Sequence, residues 1–508
     1  MSIKKNVICV FLFLSSYFNV ISQTPNKVIQ NKEFQTFPSY LDIGYNQILR
    51  PQFHFTSLKN WNNDPNGLVW YAGEYHMYFQ HNPLGVKWGN MTWGHAVSKD
   101  LVHWVQLPHA ILPFDKEGGI FSGTAVIDYS NQLLKQIDTT KTMVAFFTHS
   151  KKISYQAAAY STDKGRTYNL VNNGEAIVPN QGFDNGERDP KVFWYEPNKT
   201  WVMVLWVKRG AKEGTTEQKL GKVLILNSTN LINWKVVSEL NREWVYECMD
   251  LVELTIDGNK NKKKWLIYDA SFDYEIGDFN GTEFVSDKKS FFGDIGKNFY
   301  AAQSYNNSPD GRTVMIGWMN GGDNVFLKGA MPFNQQMSFP TTMDLRTTAY
   351  GLRLYRWPIK EIESLYSSTY NFKNIKSKTL LKKINNIKAE LIDLSIAFSG
   401  LGNLKFNIRG LDILYDKKTE TIVFQKTILP APKVNGLIKL RILLDRTSIE
   451  MFVNDGASVA TNYAVSSAEN KSISIESSIN EKIKSTSAEK VDKYKIVRHP
   501  LVWLKIQS

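Results

Sequence analysis

The stretch Ser98-Lys99-Asp100-Leu101-Val102-His103-Trp104 returns further along the chain as Ser228-Thr229-Asn230-Leu231-Ile232-Asn233-Trp234. A looser copy is Ser161-Thr162-Asp163-Lys164-Gly165-Arg166-Thr167-Tyr168. In each copy a strand ends in a polar turn and the next strand begins on an aromatic residue. Asp and Asn suit such corners because their side chains bond nearby backbone N–H groups. One corner repeated once per supersecondary unit is what the blades of a β-propeller produce.

Around these corners, Ser57 to Trp357 reads as short strands separated by turns, among them Tyr75–Gln80, Thr142–Thr148, Tyr155–Ser161, Lys191–Tyr195 and Trp201–Val207. No long amphipathic pattern interrupts them. Strand spacing alone allows a sandwich, a barrel or a propeller, and the repeated corner favours the propeller. Near Ile359–Asn374 the composition shifts to Lys, Ser and Asn, which predicts a linker. Period-two alternation then returns, with Leu440, Ile442 and Leu444 on one face, a turn at Asp445-Arg446-Thr447, and Ile449, Met451 and Val453 leading into Asn454-Asp455-Gly456. That is a hairpin of a second all-β domain, most simply a sandwich. The polar tail near Ser466–Asp492 predicts loops or edge strands. At the other end, Lys4 and Lys5 precede an apolar run from Val7 to Leu14, the pattern of a signal peptide over residues 1–22. The expected organisation is therefore a leader (1–22), a propeller (23–358), a linker (359–373) and a sandwich (374–508).

The chain has 508 residues and a net charge of +13, with aromatics at 13% including 14 Trp and 23 Tyr. This length calls for more than one domain. The aromatic content suits an all-β protein and also ring faces that stack on sugars. The Lys residues are scattered and not interleaved with aromatics, so no nucleic-acid partner is expected. No stretch is long and apolar enough for a transmembrane helix, which with the leader predicts a secreted or periplasmic protein. The two cysteines are Cys9, in the leader, and Cys248, so the mature chain has no internal disulfide. There is no Gly-x-Ser-x-Gly elbow, phosphate loop, zinc helix or Cys pair, and no metal or cofactor is expected. Hydrolytic chemistry would rest on carboxylates.

Three acidic residues stand in unusual settings, each read as preceding a strand. Asp64 lies in Trp61-Asn62-Asn63-Asp64-Pro65-Asn66-Gly67, Asp189 in Glu187-Arg188-Asp189-Pro190, and Glu247 in Trp244-Val245-Tyr246-Glu247-Cys248-Met249. In a propeller the first strand of every blade lines the axis, so residues entering those strands meet at one mouth of the channel. Two carboxylates flanking an acetal divide the work between nucleophile and acid/base. The apolar neighbours of Glu247 would keep it protonated, and the amides around Asp64 would keep it ionised.

These motifs resemble glycoside hydrolase family 32, the β-fructosidases, which include invertases, inulinases and levanases. The resemblance rests on Trp61–Gly67, Arg188–Pro190 and Glu247-Cys248, with Gln80-His81-Asn82-Pro83, Trp88-Gly89-Asn90, Phe121-Ser122-Gly123, Phe299–Gln303 and Gly317-Trp318-Met319. It implies an all-β chain of a five-bladed propeller followed by a C-terminal β-sandwich. It implies a retaining hydrolase of fructan or sucrose with Asp64 as nucleophile, Glu247 as acid/base and Asp189 stabilising the transition state. Trp61, Asn62, Asn63, Gln80, Trp88, Phe121, Ser122, Arg188 and Trp318 would bind the terminal fructose. Within the resemblance, exo release of fructose stands beside endo cleavage and fructosyl transfer. A fructan-binding protein without catalysis is the alternative from another class. Departures are Asn62 where Met or Leu is common, Met249 where Pro is common, and Thr341-Thr342 where Arg-Glu is familiar.

Overall fold

The computed structural model describes residue 40 and residues 43–183, 186–208, 221–478 and 482–491. The leader lies outside the described residues. Five antiparallel four-stranded blades follow one another along the chain. Their innermost strands are Asn60–Tyr71, Gly119–Asp128, Glu187–Tyr195, Asp250–Ile256 and Tyr300–Ser304 for blades I to V. The ring closes where Asn60 and Trp61 of blade I pair in parallel with Phe333 and Asn334. Blades IV and V are joined by parallel pairing of Ile256 with Leu345.

The repeated corner is one structure used three times, between the third and fourth strands of blades I, II and III. Asp100 Oδ1 accepts the backbone N–H groups of Val102 and His103, and the Trp104 indole donates to the Leu101 carbonyl at 3.0 Å. Asn230 and Trp234 repeat these bonds, the latter to Leu231 at 3.1 Å. Asp163 takes the N–H groups of Arg166 and Thr167. Leu101 and Leu231 both have φ of 66°, a costly value for a branched side chain. The turn bonds and the burial of both leucines offset that cost.

Apolar layers fill the spaces between blades. Val144, Phe146, Met203 and Leu205 pack blade II on III, and Val204, Trp206, Leu251 and Ile267 pack III on IV. Along the axis the contacts are polar. Lys191 of blade III donates to Asp250 of blade IV at 3.0 Å and to the Ser304 carbonyl of blade V at 2.9 Å. Gln303 of blade V donates to the Gly123 carbonyl of blade II, and Asn306 to the carbonyls of Ala125 and Val192.

Residues 359–373, read from the sequence as a linker, hold a short 3-10 turn at Lys360–Leu365 and then enter the strand Tyr366–Lys376. Every second residue from Tyr366 to Phe372 is partly buried, a period-two signal hidden among polar neighbours. Its partner is Lys482–Val491, in the tail expected to be loop or edge. This strand lies inside a six-stranded sheet, between Tyr366–Lys376 and Ile392–Phe398. Its Ile483 and Ala488 face the core, and its polarity belongs to the other face. A second, five-stranded sheet covers the first to form the sandwich. The hairpin at residues 438–453 is present, with Leu440 opposite Val453 and Leu444 opposite Ile449.

Asp445, in that hairpin turn, fastens the sandwich to the propeller. Its buried carboxylate accepts the N–H groups of Gln52 and Phe53 and lies 2.9 Å from His54 Nδ1. Glu450 stands 3.2 Å from the other ring nitrogen. Burial works against a charged imidazole, but the bonds and charges of Asp445 and Glu450 outweigh it and raise His54 to about 9. A folded-state pKa above the unfolded value near 6.5 gives stability that is complete below that pH and lost as pH rises through 9. A shift of this size is worth about 3 kcal/mol. Denaturant unfolding of the wild type is expected to lose about that much stability between pH 6 and pH 10 relative to His54→Gln. Parallel pH profiles for the two proteins would rule out the charged His54 clasp.

Candidate active site

Four of the five innermost strands depart from a regular ladder at their site residues. The pairing slips between Asn62 and Pro65 in blade I, between Ile120 and Gly123 in blade II, and between Tyr300 and Gln303 in blade V. In blade III it slips opposite Asp189, between Val204 and Trp206. Such bulges turn side chains out of the sheet's alternation. The motif Trp61–Gly67, read from the sequence as a turn before a strand, is thus an irregular part of the strand Asn60–Tyr71. Pro65 and Gly67 break the ladder without ending it. Asp189 likewise lies inside its strand, with φ of 65°. Glu247 (φ 34°) and Cys248 (φ 46°) precede the strand Asp250–Ile256. Left-handed backbone at non-glycine residues stores strain, and such strain clusters at functional sites. Gly123 follows from packing, since a Cβ there would lie 1.9 Å from the Phe146 carbonyl oxygen.

The mouth is a cavity of about 540 Å³. Asp64, Asp189 and Glu247 all line it, together with Asn63, Gln80, Trp88, Phe121, Ser122, Arg188 and Trp318. Trp61 and Asn62 are not among its lining residues. Trp61 backs the wall, donating to Asn63 Oδ1 at 2.6 Å and packing edge-to-face on Trp318. Asn62 points the opposite way, as strand alternation requires, and accepts from Ser57 N and Oγ in the interior.

Asp64 accepts from Ser122 Oγ at 2.6 Å and from the Asn63 amide at 3.0 Å. The Cys248 thiol lies 3.5 Å from an oxygen of Asp64 and 3.5 Å from one of Asp189. Asp189 also accepts the Cys248 N–H at 3.1 Å. Glu247 differs from its sequence reading. Val245 and Met249 pack into the core between blades III and IV, while the Glu247 carboxylate meets Arg188 at 2.8 and 2.9 Å and the Tyr300 hydroxyl at 2.7 Å. Arg188 itself lies over the Trp206 ring at 4.5 Å.

Burial raises Asp64 above the ordinary Asp range; Ser122 pulls it back and Glu247 adds to the rise. The amide-rich setting expected to favour its ionised form is outweighed by desolvation. Asp189 is also raised, by burial first, against the pull of Arg188. Burial lowers Arg188, but Glu247 and Asp189 more than compensate and raise it. The site is therefore three carboxyl groups around one fixed cation, with two of the acids held towards neutrality. Tyr300, Tyr246, Trp206 and Lys208 also line the cavity and are not among the site residues expected from the sequence. For Tyr300 the available signal is the motif Phe299–Gln303, which carries the family resemblance.

Comparison with known proteins gives a consistent picture. Residues 54–358 match the model described as glycosyl hydrolases family 32 N-terminal domain, and residues 361–495 the one described as glycosyl hydrolases family 32 C terminal. A levanase of Bacillus subtilis (strain 168) is 35% identical over 487 residues, covering 86% of this chain and 69% of the relative. An extracellular exo-inulinase of Aspergillus awamori is 30% identical, covering 82% and 90%. A crystal structure of exo-inulinase from Aspergillus awamori superposes with a TM-score of 0.77 at 27% identity, covering 89% of this chain and 99% of that one.

Ser122→Ala removes the shortest donor to Asp64. The Asp64 pKa then rises further, and the acid limb of a pH–rate profile that needs ionised Asp64 moves to higher pH. The rate at neutral pH is expected to fall roughly tenfold, as for loss of one charge-assisted hydrogen bond. An unmoved acid limb would show that this bond does not tune Asp64.

Proposed function

This chain belongs to glycoside hydrolase family 32, and we propose that it is an exo-acting β-fructosidase that removes terminal fructose from fructan chains by a retaining mechanism. The observation that carries the reading is the meeting of Asp64, Asp189 and Glu247 in one axial cavity. In this reading Asp64 attacks the anomeric carbon while Glu247 protonates the leaving oxygen. Glu247 then takes a proton from the water that releases fructose. Arg188 and Tyr300 fix the Glu247 carboxyl from two sides, which holds it in attack geometry. Asp189 accepts sugar hydroxyls, and its charge offsets the oxocarbenium-like transition state. Retention requires the Asp64 and Glu247 carboxyl groups about 5–5.5 Å apart.

Exo action is supported by the shape of the site. Beneath the carboxylates the axis is filled by Lys191, Gln303 and their partners, so the cavity opens at its mouth alone, and relatives named exo-inulinase share this fold. Export is supported by the leader pattern at residues 1–22 and by the relatives named extracellular. Among the described residues no helix is long and apolar enough to cross a membrane.

Digestion of levan, inulin and sucrose tests the reading. Fructose alone is the expected product from the polymers; a ladder of oligosaccharides would replace exo with endo action, and no hydrolysis by folded protein would remove the function. Glu247→Ala is expected to lower kcat roughly 10²–10⁴-fold, the usual share of general acid–base catalysis. Asp64→Ala should lose at least as much, with the fold intact.

A further inference from the structure

The innermost strands of the propeller have two ends, and the carboxylates occupy only one of them. At the other end lies a second depression of about 530 Å³. It forms where Gly119–Asp128 of blade II and Glu187–Tyr195 of blade III finish, and it shares no lining residue with the catalytic cavity. Asn306 stands between the two spaces and closes the axis, its amide donating to the carbonyls of Ala125 and Val192 at 2.9 and 3.1 Å. We propose that this depression is a non-catalytic binding site for an internal segment of the fructan chain, which keeps the polymer on the enzyme while its end is cleaved at the opposite face. The proposal rests on the β-fructosidase reading of the axial site.

Three observations carry it. The first is an aromatic wall. Tyr129 is 50% exposed, and the partly exposed Trp194 stands edge-to-face on the buried Trp201 at 5.1 Å. All three line the depression, and ring faces beside a surface hollow are stacking platforms for the C–H faces of a sugar. The second is preformation. The buried carboxylate of Asp128 accepts the N–H groups of Gln132 and Leu133 at 2.9 and 2.8 Å, and the Trp201 indole donates to Gln132 Oε1. A wall fixed in this way loses little entropy on binding. The third is the charge balance. Among the described residues that line the depression Glu196 is the one acid, and it is bound to the Trp194 indole and paired with Lys199. The site therefore carries no net charge and no second carboxyl group for hydrolysis. Its Tyr129 hydroxyl and the amides of Gln132 and Asn307 offer both donors and acceptors, which suits a neutral ligand rich in hydroxyl groups.

The 10 residues of Gly119–Asp128 span roughly 30 Å from one face of the ring to the other. A sugar chain that engages both faces must pass around the outside of the blades, so a long polymer can do so and a disaccharide or trisaccharide cannot. Holding the polymer at one face raises the effective concentration of its ends at the other. Such contacts act equally in ground and transition states, so they lower KM for the polymer without raising kcat.

The test compares the full-length wild type with Tyr129→Ala and Trp194→Ala. Each variant is expected to raise KM for levan or inulin roughly two- to tenfold, as for one lost aromatic contact, with kcat on the polymer and kcat/KM on sucrose unchanged. Binding is read separately by affinity electrophoresis in gels containing levan, inulin or dextran, with Asp64→Ala as the background so that the polymer stays intact. Retardation by a fructan is expected, and it weakens when Tyr129→Ala or Trp194→Ala is added. Melting temperatures check the fold, and the half-exposed Tyr129 keeps the test open if Trp194→Ala does not fold. Fructan retardation and polymer KM that both stay unchanged in Tyr129→Ala overturn the proposal, as does equal retardation by dextran, a glucan. A dimer in sedimentation velocity that Tyr129→Ala dissolves would overturn it in favour of a second copy of this chain. Wild type that cleaves fructan while the variants bind it normally removes this site alone; wild type that neither cleaves nor binds fructan removes the β-fructosidase reading as well.

Discussion

The ammonium of Lys191 sits on the propeller axis with almost no solvent, bound to Asp250, to the Ser304 carbonyl and to the Ser304 hydroxyl. The Tyr268 hydroxyl, the Ser304 N–H and the Ser304 hydroxyl donate to the same oxygen of Asp250, Oδ2. Five innermost strands converge here, and their polar groups cannot be left bare without a cost of a few kcal/mol each. One charged pair with its neutral partners links blades III, IV and V together. Gln303 and Asn306 do the same across to blade II. A buried ion pair is weak evidence for stability as such. Its role here is geometric: it sets how the blades meet, and therefore where the carboxylates one level above it come to lie.

Above that level the strands are deliberately irregular. Bulges at Asn62–Pro65, Ile120–Gly123 and Tyr300–Gln303 turn side chains into the mouth that regular pleating would send into neighbouring blades. The left-handed backbone at Asp189, Glu247 and Cys248 is tolerated because the surrounding sheets over-determine it. Cys248 shows the economy of this arrangement. Its N–H and thiol both reach Asp189, and the thiol also reaches Asp64, so one buried residue ties two acids from different blades together.

Some of this was legible directly. The corner at Ser98–Trp104 is a local structure, closed by bonds between residues two to four apart, so its sequence and its shape repeat together. The hairpin at residues 438–453 was legible for the same reason, since alternation and turn are both short-range. Other readings failed where a distant partner decides. Tyr366–Lys376 looks like linker because its mate, Lys482–Val491, is over a hundred residues away and is itself polar on one face. The flanking residues of Glu247 suggest an apolar setting, but its charged neighbour Arg188 and its donor Tyr300 come from other blades. Asn62 was assigned to the pocket as part of a motif, although strand alternation turns it towards Ser57.

By itself the sequence determined the all-β class, the repeated corner, the second-domain hairpin and the identity of the three acids. These follow from residue type and short-range pattern. Only the tertiary structure decided which faces those acids share, that Arg188 and Tyr300 hold Glu247, and that burial pushes Asp64 upward. The physical reason is that desolvation and ion pairing depend on neighbours brought together by the closing of the ring, and no stretch of chain encodes its own surroundings.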